Sequence, residues 1–287
     1  MSKKILITGG DGQLGSHLCR SFFSSYNIIK TSNKKANNAY HLDVTNSGQI
    51  ESVFRYEKPE IIVNCASYNS VDRCESDKVR SRSVIVDGLS NIVKFSNKDS
   101  FIIHISSDYV FNGLKSPYSE SDNPNPINYY GKLKLEAENL LIGSNRKHAI
   151  IRPNVVFSSD IDNNSNFLGW VVKNLKDSND IRVVNDQLSN PTPVELLKEV
   201  IESIILLNLE GVFNVGTTDL ISRYEFALKI AKTFGYNSGK VHEICTEELS
   251  QLAVRPTNTF MSFDKICKIL DVDVFSLDYY LKKYKEV

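Results

Sequence analysis

The chain has 287 residues, 41% of them hydrophobic, and its 34 Lys+Arg are matched by 34 Asp+Glu for a formal net charge of zero. That length buries a core without staples, and the balanced charge argues against a protein built to hold DNA, RNA or an anionic membrane surface. The five cysteines (Cys19, Cys65, Cys74, Cys245, Cys267) never form C-x-x-C and the five histidines show no ligand spacing, so neither a disulfide framework nor a metal site is expected.

Met1, Ser2, Lys3 and Lys4 run directly into a short apolar stretch with no signal-peptide core, and the longer apolar region 200–209 is broken by Glu202 and too short to span a bilayer. A cytoplasmic protein is expected. Residues 4–8 are apolar up to Thr8, as a strand buried on both faces of a parallel sheet should be. The next turn reads Gly10-x-Gly12-x-x-Gly15 or Gly9-x-x-Gly12-x-x-Gly15 and opens an amphipathic helix through Leu18, Phe22 and Phe23. Strand, glycine-rich turn and helix in that order make a dinucleotide site, because the missing side chains let backbone N–H groups and the helix N-terminus approach a pyrophosphate.

Residues 27–31 form the second strand, and the side chains just after it select the cofactor. An acid there takes the ribose hydroxyls of NAD, whereas hydroxyl or basic side chains suit a 2′-phosphate. No Asp or Glu lies between Asp11 and Asp43, and Ser32, Asn33, Lys34 and Lys35 occupy the place, so NADPH is expected, with use of both NADPH and NADH as the main alternative. Residues 41–44 read as a third short strand whose Asp43 can accept from an adenine amino group. A helix over 46–56 is ended by Pro59, and a fourth strand over 60–66 finishes in small residues where a bound cofactor needs room. A long helical region from 72 to 97 precedes the fifth strand, 101–105, which runs into Ser106, Ser107 and Asp108. In open α/β sheets ligands sit outside the carboxyl ends of strands, so Ser107 faces the crevice and its hydroxyl can donate to a substrate carbonyl.

After a loop containing Pro117, Pro124 and Pro126, an amphipathic helix places Tyr130 and Lys134 one turn apart on a single face. Tyr129 has Leu133 four residues on and cannot form that pair. A cation held beside a phenol favours the phenolate, which makes an acid/base device. The same spacing also occurs on ordinary solvated helix faces, so the functional reading rests on the glycine turn and Ser107 as well. A sixth strand lies at 148–152. Alternating strands and helices point to an α/β protein with a doubly wound parallel sheet and right-handed crossovers. Residues 1–155 are expected to form the dinucleotide-binding domain. Residues 156–287 are expected to form mainly a smaller α/β substrate lobe, with helices over 167–175, 195–207, 224–234, 263–270 and 276–284, and a strand near 211–216 returning to the sheet. The run from Asp160 begins like a calcium loop, but Ser165 and Val171 stand where glycine and glutamate are needed. Asn163-Asn164-Ser165 is a glycosylation acceptor only in a secreted protein.

Over nearly its whole length the chain resembles the extended short-chain dehydrogenase/reductase family, and within it the dTDP-4-dehydrorhamnose reductases. The likeness is carried by Ile-Thr-Gly-Gly-Asp-Gly-Gln-Leu-Gly (7–15), Leu-Asp-Val-Thr-Asn (42–46) and Val-Asn-Cys-Ala-Ser-Tyr (63–68) with Val71-Asp72. Ser-Ser-Asp-Tyr-Val-Phe-Asn-Gly (106–113), Tyr-Gly-Lys-Leu-Lys-Leu-Glu-Ala-Glu (130–138), Asp186-Gln187, Pro191-Thr192, Tyr224-Glu225-Phe226-Ala227 and Arg255-Pro256 add to it.

The resemblance implies a Rossmann fold and hydride transfer from NADPH to the C4 ketone of a nucleotide-linked 4-keto-6-deoxyhexose. Tyr130 would give a proton to the nascent alkoxide, Lys134 would hold the ribose and depress the Tyr130 pKa, and Ser107 would bond the carbonyl oxygen. It implies a cofactor site of Gly9, Gly12, Gln13, Leu14, Gly15, Ser32, Lys34, Asp43, Val44, Ala66, Tyr68, Tyr130 and Lys134. It implies a substrate site of Ser107, Asp108, Tyr109, Val110, Phe111, Tyr130 and Arg255, the last as a diphosphate clamp. The chain departs from the pattern at Ser107 (often threonine), Leu133 (a small hydroxyl residue), Ile85 (asparagine) and Val155 (tryptophan near the substrate). Asp108 stands where related reductase/epimerases carry a cysteine, which implies reduction without epimerisation. A UDP- or GDP-linked substrate, and a non-catalytic role like that of the regulatory subunit of methionine adenosyltransferase, are the alternatives. The implied partner is a nucleotide sugar, with no nucleic acid or membrane, for a monomer or homodimer.

Overall fold

The computed structural model describes residues 3–22, 24–35, 37–162, 166–271 and 273–286. Phe23, the end of the calcium-like run and the tripeptide 163–165 therefore lie outside the described residues. Strands β1 (Lys4–Thr8), β2 (Asn27–Ser32), β3 (Tyr40–His41), β4 (Ile61–Asn64), β5 (Phe101–Ile105) and β6 (His148–Pro153) come first in the chain. Three short strand pairs come next: β7 (Val156–Phe157) with β10 (Thr192–Pro193), β8 (Ile181–Val184) with β13 (Val241–Ile244), and β9 (Leu188–Ser189) with β12 (Ile221–Ser222). The remaining strand, β11 (Gly211–Val215), pairs in parallel with β6 and completes a seven-stranded sheet of order β11-β6-β5-β4-β1-β2-β3. Every pairing in that sheet is parallel. Strand order reverses at β1 and β4, and the carboxyl ends of those strands flank the crevice where such sheets bind ligands.

Eleven helices cover the sheet among the described residues: α1 (Gln13–Ser21), α2 (Ser47–Glu57), α3 (Val71–Ser76), α4 (Lys78–Arg82), α5 (Gly88–Phe95), α6 (Tyr129–Gly143), α7 (Phe167–Lys176), α8 (Val194–Leu207), α9 (Arg223–Phe234), α10 (Asp264–Leu270) and α11 (Leu277–Lys285). The period-2 alternation of a strand separates the two cores. Ile5, Ile7, Ile103 and Ile151 pack against Leu18 of α1 and against α7, α8, α9 and α11, whereas Leu6, Ile62, Ile102 and Ile150 pack against α2, α5 and α6. Both faces of β1 are thus buried, which is why its sequence is apolar throughout. Leu277, Leu281 and Tyr284 of α11 belong to the same cluster as Ile5, so the carboxyl-terminal third packs on the sheet itself. None of these helices is long and apolar enough to cross a membrane.

Two expected elements differ. The helical region 72–97 is broken at Asp77, whose backbone leaves the helical range (φ −127°, ψ 69°) and whose side chain accepts from Arg80 N to start α4. A π-helical turn, Ser83–Asp87, then carries Ile85 and Val86 inward. The third strand ends at His41 because Asp43 turns the chain, accepting from the Thr45 amide (2.9 Å) and hydroxyl (2.7 Å) while its own N–H goes to Gln49 Oε1.

Candidate active site

The carboxyl ends of β1, β4, β5 and β6 open into a cleft of about 790 Å³. At one end lies the glycine turn. Gly9 holds a left-handed φ of 63°, and a Cβ on Gly15 would collide with the Gly9 carbonyl, so the turn folds only without those side chains. Gly12 begins α1 with no side-chain cap and no acid in the first turn. The leading N–H groups and the positive end of the helix dipole are therefore free to meet an anion. Ser67 lines the same cleft with a buried hydroxyl that has no partner. These features fit a dinucleotide pyrophosphate. Gln13, Leu14, Ser32, Asp43, Val44, Ala66 and Tyr68 also line the cleft. Lys34 does not: its exposed side chain lies off the wall, and its backbone N–H bonds to Ser32 Oγ at 3.0 Å.

At the other end, α6 is started by Asn128, whose side chain accepts from Gly131 N (2.8 Å) and donates to Val254 O (2.9 Å). A Cβ on Gly131 would strike the carbonyl of Tyr109, so this glycine lets the helix press against the turn after β5. That approach brings the first turn of α6 up to Ser107. Tyr130 is 8% exposed and Lys134 2%, and both line the cleft. Lys134 Nζ donates to Ile105 O at 3.0 Å and lies 5.7 Å from the centre of the Tyr130 ring. Ser107 Oγ donates to Asp108 Oδ1 (2.9 Å), and Thr259 Oγ1 donates to Asp108 Oδ2 (2.6 Å).

Burial governs the protonation of these groups. It pushes the Tyr130 phenol well above its ordinary range, with the Ser107 hydroxyl opposing, and lowers Lys134 to about 8, with Glu138 opposing. The cation was expected to favour a phenolate, but the cost of taking the phenolate out of water outweighs it. The phenol is left neutral and able to give a proton. Burial raises Asp108 to about 6, against its bonds from Thr259 and Ser107.

Tyr109 and Asp108 stand on the cleft wall, but Val110 and Phe111 do not. They are fully buried with Tyr118 and Met261, Phe111 stacked on the Tyr118 ring at 4.2 Å, and they support the turn from beneath. Arg255 is also off the wall. Its guanidinium forms a two-bond pair with Asp72 (3.1 and 3.0 Å), and Asp72 accepts from Ala253 N as well. Among the side chains that line the cleft without any motif in the sequence to mark them are Phe167 and Arg223, with the guanidinium 5.6 Å above the ring. The one local signal is the capping box of Ser222 and Glu225, which fixes Arg223 at the start of α9. Val155, also on the wall, holds φ at 36°, a value β-branched residues rarely adopt, so the backbone is strained where it leaves β6.

A family model described as the RmlD substrate binding domain matches residues 3–285. The spore coat polysaccharide biosynthesis protein SpsK of Bacillus subtilis is 32% identical over 266 residues, covering 90% of this chain and 89% of that protein. The dTDP-4-dehydrorhamnose reductase of Aggregatibacter actinomycetemcomitans is 32% identical over 278 residues, 92% of either protein. Among solved structures, dTDP-4-dehydrorhamnose reductase from Bacillus anthracis in complex with NADP matches with a TM-score of 0.90 at 29% identity, covering 99% of both chains.

Proposed function

The chain belongs to the RmlD substrate binding domain family, and from that premise we propose that it reduces the C4 ketone of a nucleotide-linked 4-keto-6-deoxyhexose, dTDP-linked first among them, at the expense of NADPH. The observation that carries this reading is the convergence of Ser107, Tyr130 and Lys134 at the carboxyl end of β5, in the cleft that also holds the glycine turn. The glycine turn and the start of α1 hold the pyrophosphate, and Asp43 and Val44 the adenine. The bound nicotinamide supplies a hydride. Ser107 turns its hydroxyl from Asp108 Oδ1 to the ketone oxygen, the neutral Tyr130 phenol gives its proton to that oxygen as it becomes an alkoxide, and Lys134 keeps positive charge beside the phenolate that results. Phe167 and Arg223 bring the chain beyond residue 155 to the substrate side, where a guanidinium suits a diphosphate.

The direct test gives purified protein NADPH and dTDP-, UDP- or GDP-linked 4-keto-6-deoxy sugars and monitors loss of the reduced nicotinamide absorbance. Consumption with the dTDP-linked substrate is expected. Tight dinucleotide binding with no consumption on any of them would replace the reading with a non-catalytic one.

Turnover should also depend on pH. Lys134 titrates at about 8, below its ordinary 10.5, so the cation is present below that point and lost as pH rises through it. Turnover should fall along an alkaline limb with a midpoint near 8, and a profile flat through that range would remove the cation from the mechanism. The stability sign is the reverse. A lysine whose folded pKa is depressed carries its full burial penalty below the folded value, and that penalty is relieved between the folded and unfolded values.

A further inference from the structure

An acid that takes the ribose hydroxyls is ordinarily sought after β2, and none is there. The fold supplies one from the opposite direction. Gly10 N donates to Thr31 O at 2.8 Å, which pins the glycine turn to the end of β2. The Lys30 stem lies over Gly10, where a Cβ would come within 2.6 Å of Lys30 Cγ. Asp11 is thereby brought to the adenosine end of the cleft: it lines the wall with Ser32, and its carboxylate lies 2.6 Å from Lys30 Nζ. The bond from the Lys30 ammonium, then the Ser32 hydroxyl and the charge of Lys34, favour the ionised carboxylate. Lys30 itself is not on the cleft wall.

Building on the dinucleotide reading above, we propose that Asp11 and Lys30 form a charge-compensated pair that sets how the protein divides between NADH and NADPH. A carboxylate at the end of β2 accepts from the 2′- and 3′-hydroxyls of the NAD ribose. Alone, it repels a 2′-phosphate, since like charges brought together at a binding site are costly. Lys30 cancels that charge without occupying the site, so the phosphate is admitted while the hydroxyl acceptor is kept. Asp11 and Lys30 side chains are 36% and 22% exposed, which leaves the pair only partly screened by solvent. Selectivity here rests on the balance between two charges and not on the presence or absence of an acid.

The test is direct binding, without sugar substrate. The protein, Asp11→Asn and Lys30→Met are each titrated with NADP⁺ and NAD⁺, and the ratio of the two Kd values is compared. Lys30→Met keeps the stem over Gly10 and removes the main charge that compensates Asp11, so NADP⁺ should weaken about tenfold relative to NAD⁺. Asp11→Asn should move the ratio the other way, and Lys30→Arg should restore the parent ratio. Ratios that stay within about twofold of the parent in both charge-removing variants, or that move in the same direction, overturn the proposal. A parent protein that binds neither dinucleotide would instead remove the reading of the cleft on which the proposal rests.

Discussion

Replacing Tyr130 with phenylalanine is expected to lower turnover by about 10²- to 10⁴-fold, the usual worth of a positioned proton donor, or about 2.7–5.4 kcal/mol of barrier. The ring itself should stay where it is. It is buried on the first turn of α6, edge-on to Tyr109 with centroids 6.0 Å apart, and the substitution removes only the hydroxyl. Dinucleotide affinity should therefore change little, because the glycine turn and the end of β2 are untouched. A loss confined to turnover identifies an interaction made in the transition state, whereas a rise in KM at unchanged turnover would point to ground-state binding. Tyr129→Phe is the matched control, since the Tyr129 ring faces away toward the Lys78 ammonium, 5.3 Å from its centre. A Tyr130→Phe protein that turns over at the parent rate would strip Tyr130 of its role, whatever the fold.

Some of this site could be read from the chain because its parts obey local rules. The glycine turn comes after a strand and opens a helix, Tyr130 and Lys134 are one helical turn apart, and Ser107 comes two residues after the end of β5; the structure places all of them on one cleft. The two-face burial of β1 is likewise written in an uninterrupted apolar run. The parts that are not legible depend on packing between distant segments. Phe167 and Arg223 come together because α7 lies against α9, and no spacing in the sequence marks that contact. Arg255 has the chemistry of a phosphate clamp but is paired with Asp72, 183 residues away in the chain. Val110 and Phe111 sit within a motif that reads as a binding loop, yet that loop turns through a 3-10 segment that sends both inward. Asp11 misleads in a subtler way. In the sequence it only bounds an acid-free interval, whereas the turn folds it back to the end of β2. The break at Asp77 is hidden for the same reason that many helix boundaries are: a side chain that caps one helix also reads as a tolerable residue inside a longer one.

The second large effect lies two turns further along α6. Tyr130, Lys134 and Glu138 fall at successive four-residue steps, and Glu138 is 1% exposed. It accepts from Arg152 Nε (3.0 Å) and Nη2 (2.6 Å) and also from the Ser106 hydroxyl, while the Arg152 guanidinium lies 5.2 Å from the Phe111 ring. Arg152 Nη1 is buried without a partner, so Glu138 is the sole acidic compensation among the described residues for that buried charge. Glu138→Ala should cost about 3–5 kcal/mol of folding stability, because breaking a buried pair leaves one charge stranded in a medium that cannot solvate it. Denaturant unfolding reads this directly, and a midpoint unchanged from the parent would mean that the pair contributes no net stability. Glu138→Gln preserves the volume and part of the hydrogen bonding, so it should lose less. It carries a further consequence for the chemistry. Glu138 opposes the burial that pulls Lys134 down to about 8, and removing its charge disfavours the ammonium further. The alkaline limb of the turnover profile should then move to lower pH in Glu138→Gln, by an amount unrelated to any loss of stability. A limb that does not move would confine Glu138 to holding Arg152 and Ser106 in place beneath the active site.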